Sequence, residues 1–258
     1  MINKTTPFFD TQSAKELLFN KEYEKAFVAF RSLEDSGDPE AWYYLGILYD
    51  HFSGVGIEED KKKARKLFEK AWNAGFAEAG AALASLMMDE SDGGPESEDL
   101  LKKAAVLGSN TAYALLLGKA ADPGVEKAIE RGNQKVATNL VLNVIEQLDK
   151  IIKSAVENES NDGGDEIEWL FLSRARTSLD LALSLEPGFL SFFQASTVHE
   201  ILRISREAWD PSAAAKAMSL LGDLYFNGIF FNKDLHEAEE CYRKALALDP
   251  DIFKEYLE

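Results

Sequence analysis

AWYYLGILYDHFSGVGIEEDKKKARKLFEKAWNAG, residues 41–75, is the stretch on which the fold turns. Its apolar residues recur at helical spacing twice over. Ala41, Leu45, Leu48, Tyr49 and Phe52 share one helical face, and Ala64, Leu67, Phe68 and Ala71 share another. Between them lies a Gly-containing stretch, Ser53 to Asp60, that cannot continue a helix. Asp60 is placed to cap the second helix, where an acid is favourable. Gly46 falls inside the first helix, where glycine costs about 1 kcal/mol relative to alanine. The missing Cβ predicts a close approach of the paired helix, and the small Ala64 and Ala71 serve the same seam.

Residues 217–249, AMSLLGDLYFNGIFFNKDLHEAEECYRKALALD, repeat the pattern. Leu45-Gly46 meets Leu221-Gly222, and Leu48-Tyr49 meets Leu224-Tyr225. After a two-residue difference in the turn, Gly54 meets Gly228, Asp60 meets Asp234, Ala64 meets Ala238, Phe68 meets Tyr242 and Ala71 meets Ala245. Each unit is a helix hairpin, and a lone hairpin cannot bury both its faces, so neighbours must stack. Weaker copies run over residues 15–37, 77–108 and 110–132, the last with Asp122-Pro123-Gly124 as the expected break between two short helices. Residues 133–157 read as one long helix, and the acidic ENESNDGGDEIE that follows reads as a loop or disordered insert centred on 158–166. Two more helices are expected over 167–185 and 189–209, split by Glu186-Pro187-Gly188. The expected organisation is therefore N-terminal repeats over 1–132, a divergent helical segment over 133–210, and a C-terminal repeat with its end cap over 211–258. The expected fold is all-α, an α-α superhelix of stacked helix hairpins forming one continuous solenoid.

At these residues the chain resembles the Sel-one-like repeat family, a relative of the tetratricopeptide repeats. The family pattern is Ala-x-x-x-Leu-Gly-x-x-Tyr, a Gly-rich turn with Asp, then Ala-x-x-x-aromatic-x-x-Ala and Gly. Residues 41–75 carry nearly all of it. Residues 217–249 depart at Phe230, which stands where the pattern has its second glycine, and Ala247-Leu248-Asp249-Pro250 ends more like a tetratricopeptide repeat. The resemblance implies structural roles for Leu45, Gly46, Tyr49, Gly54, Ala64, Phe68 and Ala71, and for Leu221, Gly222, Tyr225, Gly228, Ala238, Tyr242 and Ala245.

Charge narrows the partner. Forty-five acids against 28 bases give a net charge of -17. Such a chain is repelled by phosphate backbones and anionic lipid, so neither nucleic acid nor membrane is expected, and it is drawn to basic partners. The same acids also keep a long, exposed solenoid soluble. Cys241 is the single cysteine, so no internal disulfide forms, which fits a reducing compartment. The first residues contain no apolar run long enough for a signal peptide, and the apolar stretch 179–198 is interrupted by Asp180, Glu186 and Pro187. A cytoplasmic protein is expected.

No residue pattern carries catalytic chemistry. His51, His199 and His236 have no histidine or cysteine three or four positions on, and Cys241 beside Tyr242 reads as a buried thiol. No GxGxxG or GxxxxGK[ST] is present, so no nucleotide cofactor is expected. Calcium loops built on Gly94 or Gly163 place Leu100 or Trp169 where the bidentate glutamate belongs, so no metal is expected either. The basic run Lys61-Lys62-Lys63-Ala64-Arg65-Lys66 follows Glu58, Glu59 and Asp60 and reads as a solvated helix face.

What remains is binding. In stacked hairpins the first helix of each repeat lines a concave face. The candidates for partner contact are Trp42, Tyr43 and Asp50, which the core pattern does not use, and Phe230, which is surplus to it. For Trp42 and Tyr43 the competing role is to pad the junction with the preceding repeat. For Phe230 it is to pack on the helices of the middle region. The expected function is a non-enzymatic protein-interaction module for a basic partner, for example an immunity protein that blocks a cationic toxin domain. An adaptor or regulatory scaffold in a signalling or secretion pathway is the alternative. An enzyme using scattered carboxylates is the alternative from another class.

Overall fold

The computed structural model describes residues 9–52, 56–89, 94–158, 164–184 and 195–253. Among the described residues all regular structure is helical: twelve α-helices and no strand. The chain divides into two compact units, residues 1–100 and 101–258. The first holds α1 (Thr11–Phe19), α2 (Tyr23–Ser32), α3 (Pro39–His51), α4 (Lys61–Asn73) and α5 (Ala77–Asp89), and the division falls within α6 (Pro95–Val106). The second holds α7 (Asn110–Glu130), α8 (Gln134–Asn158), α9 (Gly164–Ser184), α10 (Ala195–Glu207), α11 (Pro211–Asn227) and α12 (Leu235–Leu248).

Short signals start these helices. Asp38-Pro39 opens α3 and Asp210-Pro211 opens α11; each aspartate accepts a backbone N–H, from Glu40 at 3.0 Å and from Ser212 at 2.9 Å. Proline at the first helical position forfeits an N–H that has no partner there in any case. Asp60 and Asp234 cap the second helices of the same hairpins, accepting from the N–H groups of Lys63 and of His236 and Glu237. Both turns close alike: the Asp60 N–H donates to the Tyr49 carbonyl and the Asp234 N–H to the Tyr225 carbonyl.

In the first unit α1 packs on α2, α2 on α3, α3 on α4 and α4 on α5. Phe30, Leu45, Leu48, Phe52 and Phe68 are fully buried there. In the second unit α7 pairs with α8, α8 with α9, α10 with α11 and α11 with α12. Its main core gathers Leu179, Ile201, Ile204, Leu220 and Leu224.

Two expectations about the middle of the chain are corrected. Asp122-Pro123-Gly124 does not separate two helices: α7 runs unbroken through Pro123. A proline inside a helix costs about 3 kcal/mol. Continuing the helix, however, brings Val125 and Ala128 onto Ala137, Val141 and Ile145 of α8. The hairpin is therefore α7 with α8, not α7 folded on itself. The acidic insert is also shorter than expected. Glu157 and Asn158 complete α8, and α9 starts at Gly164. The remainder of the insert, 159–163, lies outside the described residues, as does the expected Glu186-Pro187-Gly188 break.

Candidate functional site

The two matching hairpins have the same seam. A Cβ built on Gly46 would lie 2.5 Å from Cε1 of Phe68, and one on Gly222 would lie 2.7 Å from Cδ1 of Tyr242. The aromatic ring of the second helix thus rests on the bare backbone of the first, and Ala64, Ala71, Ala238 and Ala245, all buried, let the helices close around it. Leu45, Tyr49, Leu221 and Gly222 are buried in these hairpins, and Tyr225 is half-buried. Gly54 lies outside the described residues. Its counterpart Gly228 ends α11 in the left-handed conformation at φ 67.

Tyr242 differs from Phe68 by a hydroxyl, and the second unit uses it. The Tyr242 O–H donates to Asp223 Oδ1 at 2.7 Å, and Arg176 Nη1 of α9 donates to Asp223 Oδ2 at 2.7 Å. Burial, then the Asp223 carboxylate, pushes the Tyr242 phenol well above the usual tyrosine range. A raised pKa in the folded state contributes stability that is complete below the unfolded value, about 10, and is lost as pH rises above it. The urea midpoint of the wild type is therefore expected to fall above about pH 10, and Tyr242→Phe to lack that part of the fall. An identical alkaline decline in both proteins would remove the phenol from the account.

The four candidate contact residues lie in different settings. Trp42 is 8% exposed; its indole N–H donates to the Glu34 carbonyl at 2.7 Å, and Lys70 Nζ lies 3.9 Å from the ring centroid. These contacts tie α3 to the preceding turn and to α4. Tyr43 is half-buried between Phe68 and Phe76, with ring centroids at 6.1 and 5.1 Å. Asp50 is buried, with one carboxylate oxygen 3.1 Å from His51 Nε2. Phe230 alone among them is exposed, at 56%, with its ring edge-on to Phe231.

Phe230 also has φ 65, while Gly56 at the equivalent turn position has φ 90. A left-handed conformation costs a side-chain-bearing residue about 1–2 kcal/mol. Glycine there gives back roughly 0.5–1 kcal/mol as backbone entropy. Phe230→Gly is expected to raise stability by up to about 1 kcal/mol, read from the urea midpoint. An unchanged or lowered midpoint would show that the strain is offset by packing. An exposed aromatic held in a left-handed conformation is a surface feature that folding alone does not require.

The first unit holds a cleft of about 600 Å³ between α2 and the turn that leads into α4. It is lined by Phe27, Val28, Tyr49 and Ile57 together with Glu24, Arg31, Glu58, Glu59 and Asp60, so aromatic rings and carboxylates share it. The Phe27 and Tyr49 rings meet edge-on at 5.1 Å. Each ring already faces a cation of its own chain: Arg31 lies 5.7 Å from the Phe27 centroid and Lys63 lies 4.7 Å from that of Tyr49. Lys63 is further held by the Tyr49 hydroxyl at 3.0 Å and by Glu34 at 3.4 Å. Spacing does not single out Glu24, Phe27 or Arg31. Their only signal is that Phe27 is a large aromatic beside, not on, the buried face formed by Ala26 and Phe30.

Cys241 is buried, and burial pushes its thiol pKa up, which disfavours the reactive thiolate. Among the described residues no group of three or more His, Cys, Asp or Glu side chains could hold a metal ion. No helix among them is long and apolar enough to cross a membrane.

The family model described as the Sel1 repeat matches residues 39–76 and 215–250, the two hairpins with the glycine–ring seam. Both segments are Sel1 repeats. Proteins built on Sel1 repeats are generally protein–protein interaction modules and typically non-catalytic scaffolds. No curated protein matches the chain. Among solved structures it is similar to a Sel1 repeat protein from Oxalobacter formigenes, at 18% identity over 94% of this chain and 90% of that one, with TM-score 0.41. It is similar also to a protective antigen of uropathogenic Escherichia coli strains displaying an SLR fold, at 15% identity over 96% of this chain and 63% of that one, TM-score 0.41. A third is the C-terminal part of a TPR repeat-containing protein from Cytophaga hutchinsonii, at 16% identity over 93% and 96% of the two chains, TM-score 0.36. The Sel1 hairpins place the aromatic-lined cleft beside the turn of the first repeat and Phe230 at the turn of the second.

Proposed function

We propose that the protein is a non-enzymatic interaction module that captures a basic protein in the cytoplasm and, in the sharper form of this reading, neutralises a cationic toxin domain as an immunity protein. The observation that carries it is the net charge of -17 on a chain whose Sel1 hairpins use apolar residues for their seams. Excess negative charge of this size speeds capture of a cationic partner and disfavours nucleic acid and anionic membranes. Co-purification from the native cell, with mass spectrometry of what is retained, tests the reading. A basic protein held at low salt and released at high salt is the expected result, and a gene for it adjacent to this one would support the immunity role. Retention of an acidic protein, indifferent to salt, would overturn the basic-partner reading.

A further inference from the structure

We propose that the cleft between α2 and the α4 turn is the seat for an arginine side chain of the basic partner, and that Arg31 occupies part of it in the free protein. The inference rests on the basic-partner reading and adds the place and the residue type. Carboxylates alone would not make such a seat; here they share a cleft of about 600 Å³ with the Phe27 and Tyr49 rings, and one cation is already against the Phe27 ring. Arginine suits this lining better than lysine. Its planar guanidinium lies flat on an aromatic face while its edge donates to carboxylates, and it is more weakly hydrated. Tyr49 is already served by Lys63, which is fixed at three points. The cation facing the half-buried Phe27 is the exposed Arg31, which forms no ion pair among the described residues. Glu24 and Glu58, which also line the cleft, likewise form no ion pair among the described residues. A partner guanidinium entering beside them would displace Arg31 from Phe27 and give both carboxylates a counter-charge.

The test uses the full chain and a fluorescein-labelled peptide of alternating arginine and alanine, with binding followed by fluorescence anisotropy at low salt. The wild type is expected to bind it, and Glu24→Gln with Glu58→Gln to weaken binding about tenfold. Glu126→Gln with Glu130→Gln removes the same charge from the exposed surface of α7. That pair is expected to weaken binding less than about twofold, because neither residue lines the cleft and a lone exposed charge contributes little. Arg31→Ala is expected to tighten binding by about threefold by clearing the ring, with thermal melting confirming that every variant is folded. Equal losses for the two glutamate pairs would overturn the cleft while leaving the basic-partner reading in place. A wild type that does not bind the peptide would overturn both. A lysine–alanine peptide that binds as tightly would overturn the choice of arginine, and weakening by Arg31→Ala would overturn its role as occupant. A wild type that sediments as a dimer, reduced to monomer by the Glu24 and Glu58 changes, would make a second copy of the chain the occupant instead.

Discussion

Trp42→Ala is expected to destabilise the protein by about 3–5 kcal/mol, the range for truncating a buried tryptophan. The indole is enclosed between the turn after α2 and the side chain of Lys70, and its N–H reaches the Glu34 carbonyl at 2.7 Å. Removing the ring opens a cavity at the junction of α3 with the preceding hairpin and takes a hydrogen-bond donor from Glu34, whose carbonyl keeps Lys70 Nζ at 3.2 Å. Trp42→Phe, which keeps a six-membered ring but loses the donor and part of the packing, is expected to cost less than the alanine change. Melting and affinity measured on the same alanine variant separate packing from recognition. A lowered melting temperature with unchanged affinity in the folded fraction is the expected result. Intact melting with lost affinity would make Trp42 a partner anchor instead.

Gly46→Leu and Gly222→Leu are each expected to cost about 1–3 kcal/mol by overpacking the seams. Helix propensity alone predicts the opposite sign, since replacing a mid-helix glycine with a residue that has a Cβ gains up to about 1 kcal/mol. Packing wins because the first atom added already lies 2.5 Å from Cε1 of the Phe68 ring, a side chain with no exposed surface into which to move. Gly46→Ala is therefore not expected to stabilise the protein either. Shortening the ring should recover part of the loss, so Gly46→Leu with Phe68→Leu should be less destabilising than the sum of the two single changes. If both leucine variants melt like the wild type, the equivalence of the two seams is wrong.

The seam was legible because it depends on neighbours in sequence. Glycine inside an apolar helix pattern, an aromatic on the next helix and a capping aspartate before it are all local, and the Sel1 hairpins form where they coincide. The long α8 was legible for the same reason, as an uninterrupted 3.6-residue period. Pro123 misled because its local preference, a break, is overridden by the contacts that Val125 and Ala128 make with α8, which no local rule anticipates. The limits of the acidic insert differ in a similar way: residues 164–166 look like loop by composition yet belong to α9. Phe230 was visible as a departure from a glycine position, and its left-handed backbone explains why glycine is favoured there. The cleft was not visible at all. It is built from Phe27 and Arg31 on α2 with Tyr49 on α3 and residues of the next turn, and its chemistry arises only when two hairpins are laid together.

Steering of this protein onto a basic partner by its negative charge is tested most directly by the association rate constant of the co-purified complex as a function of ionic strength. A steep fall in the association rate with rising salt, with the dissociation rate changing much less, is the predicted result, because long-range attraction governs encounter and short-range packing governs release. An association rate indifferent to salt, or a partner that proves acidic, would contradict it.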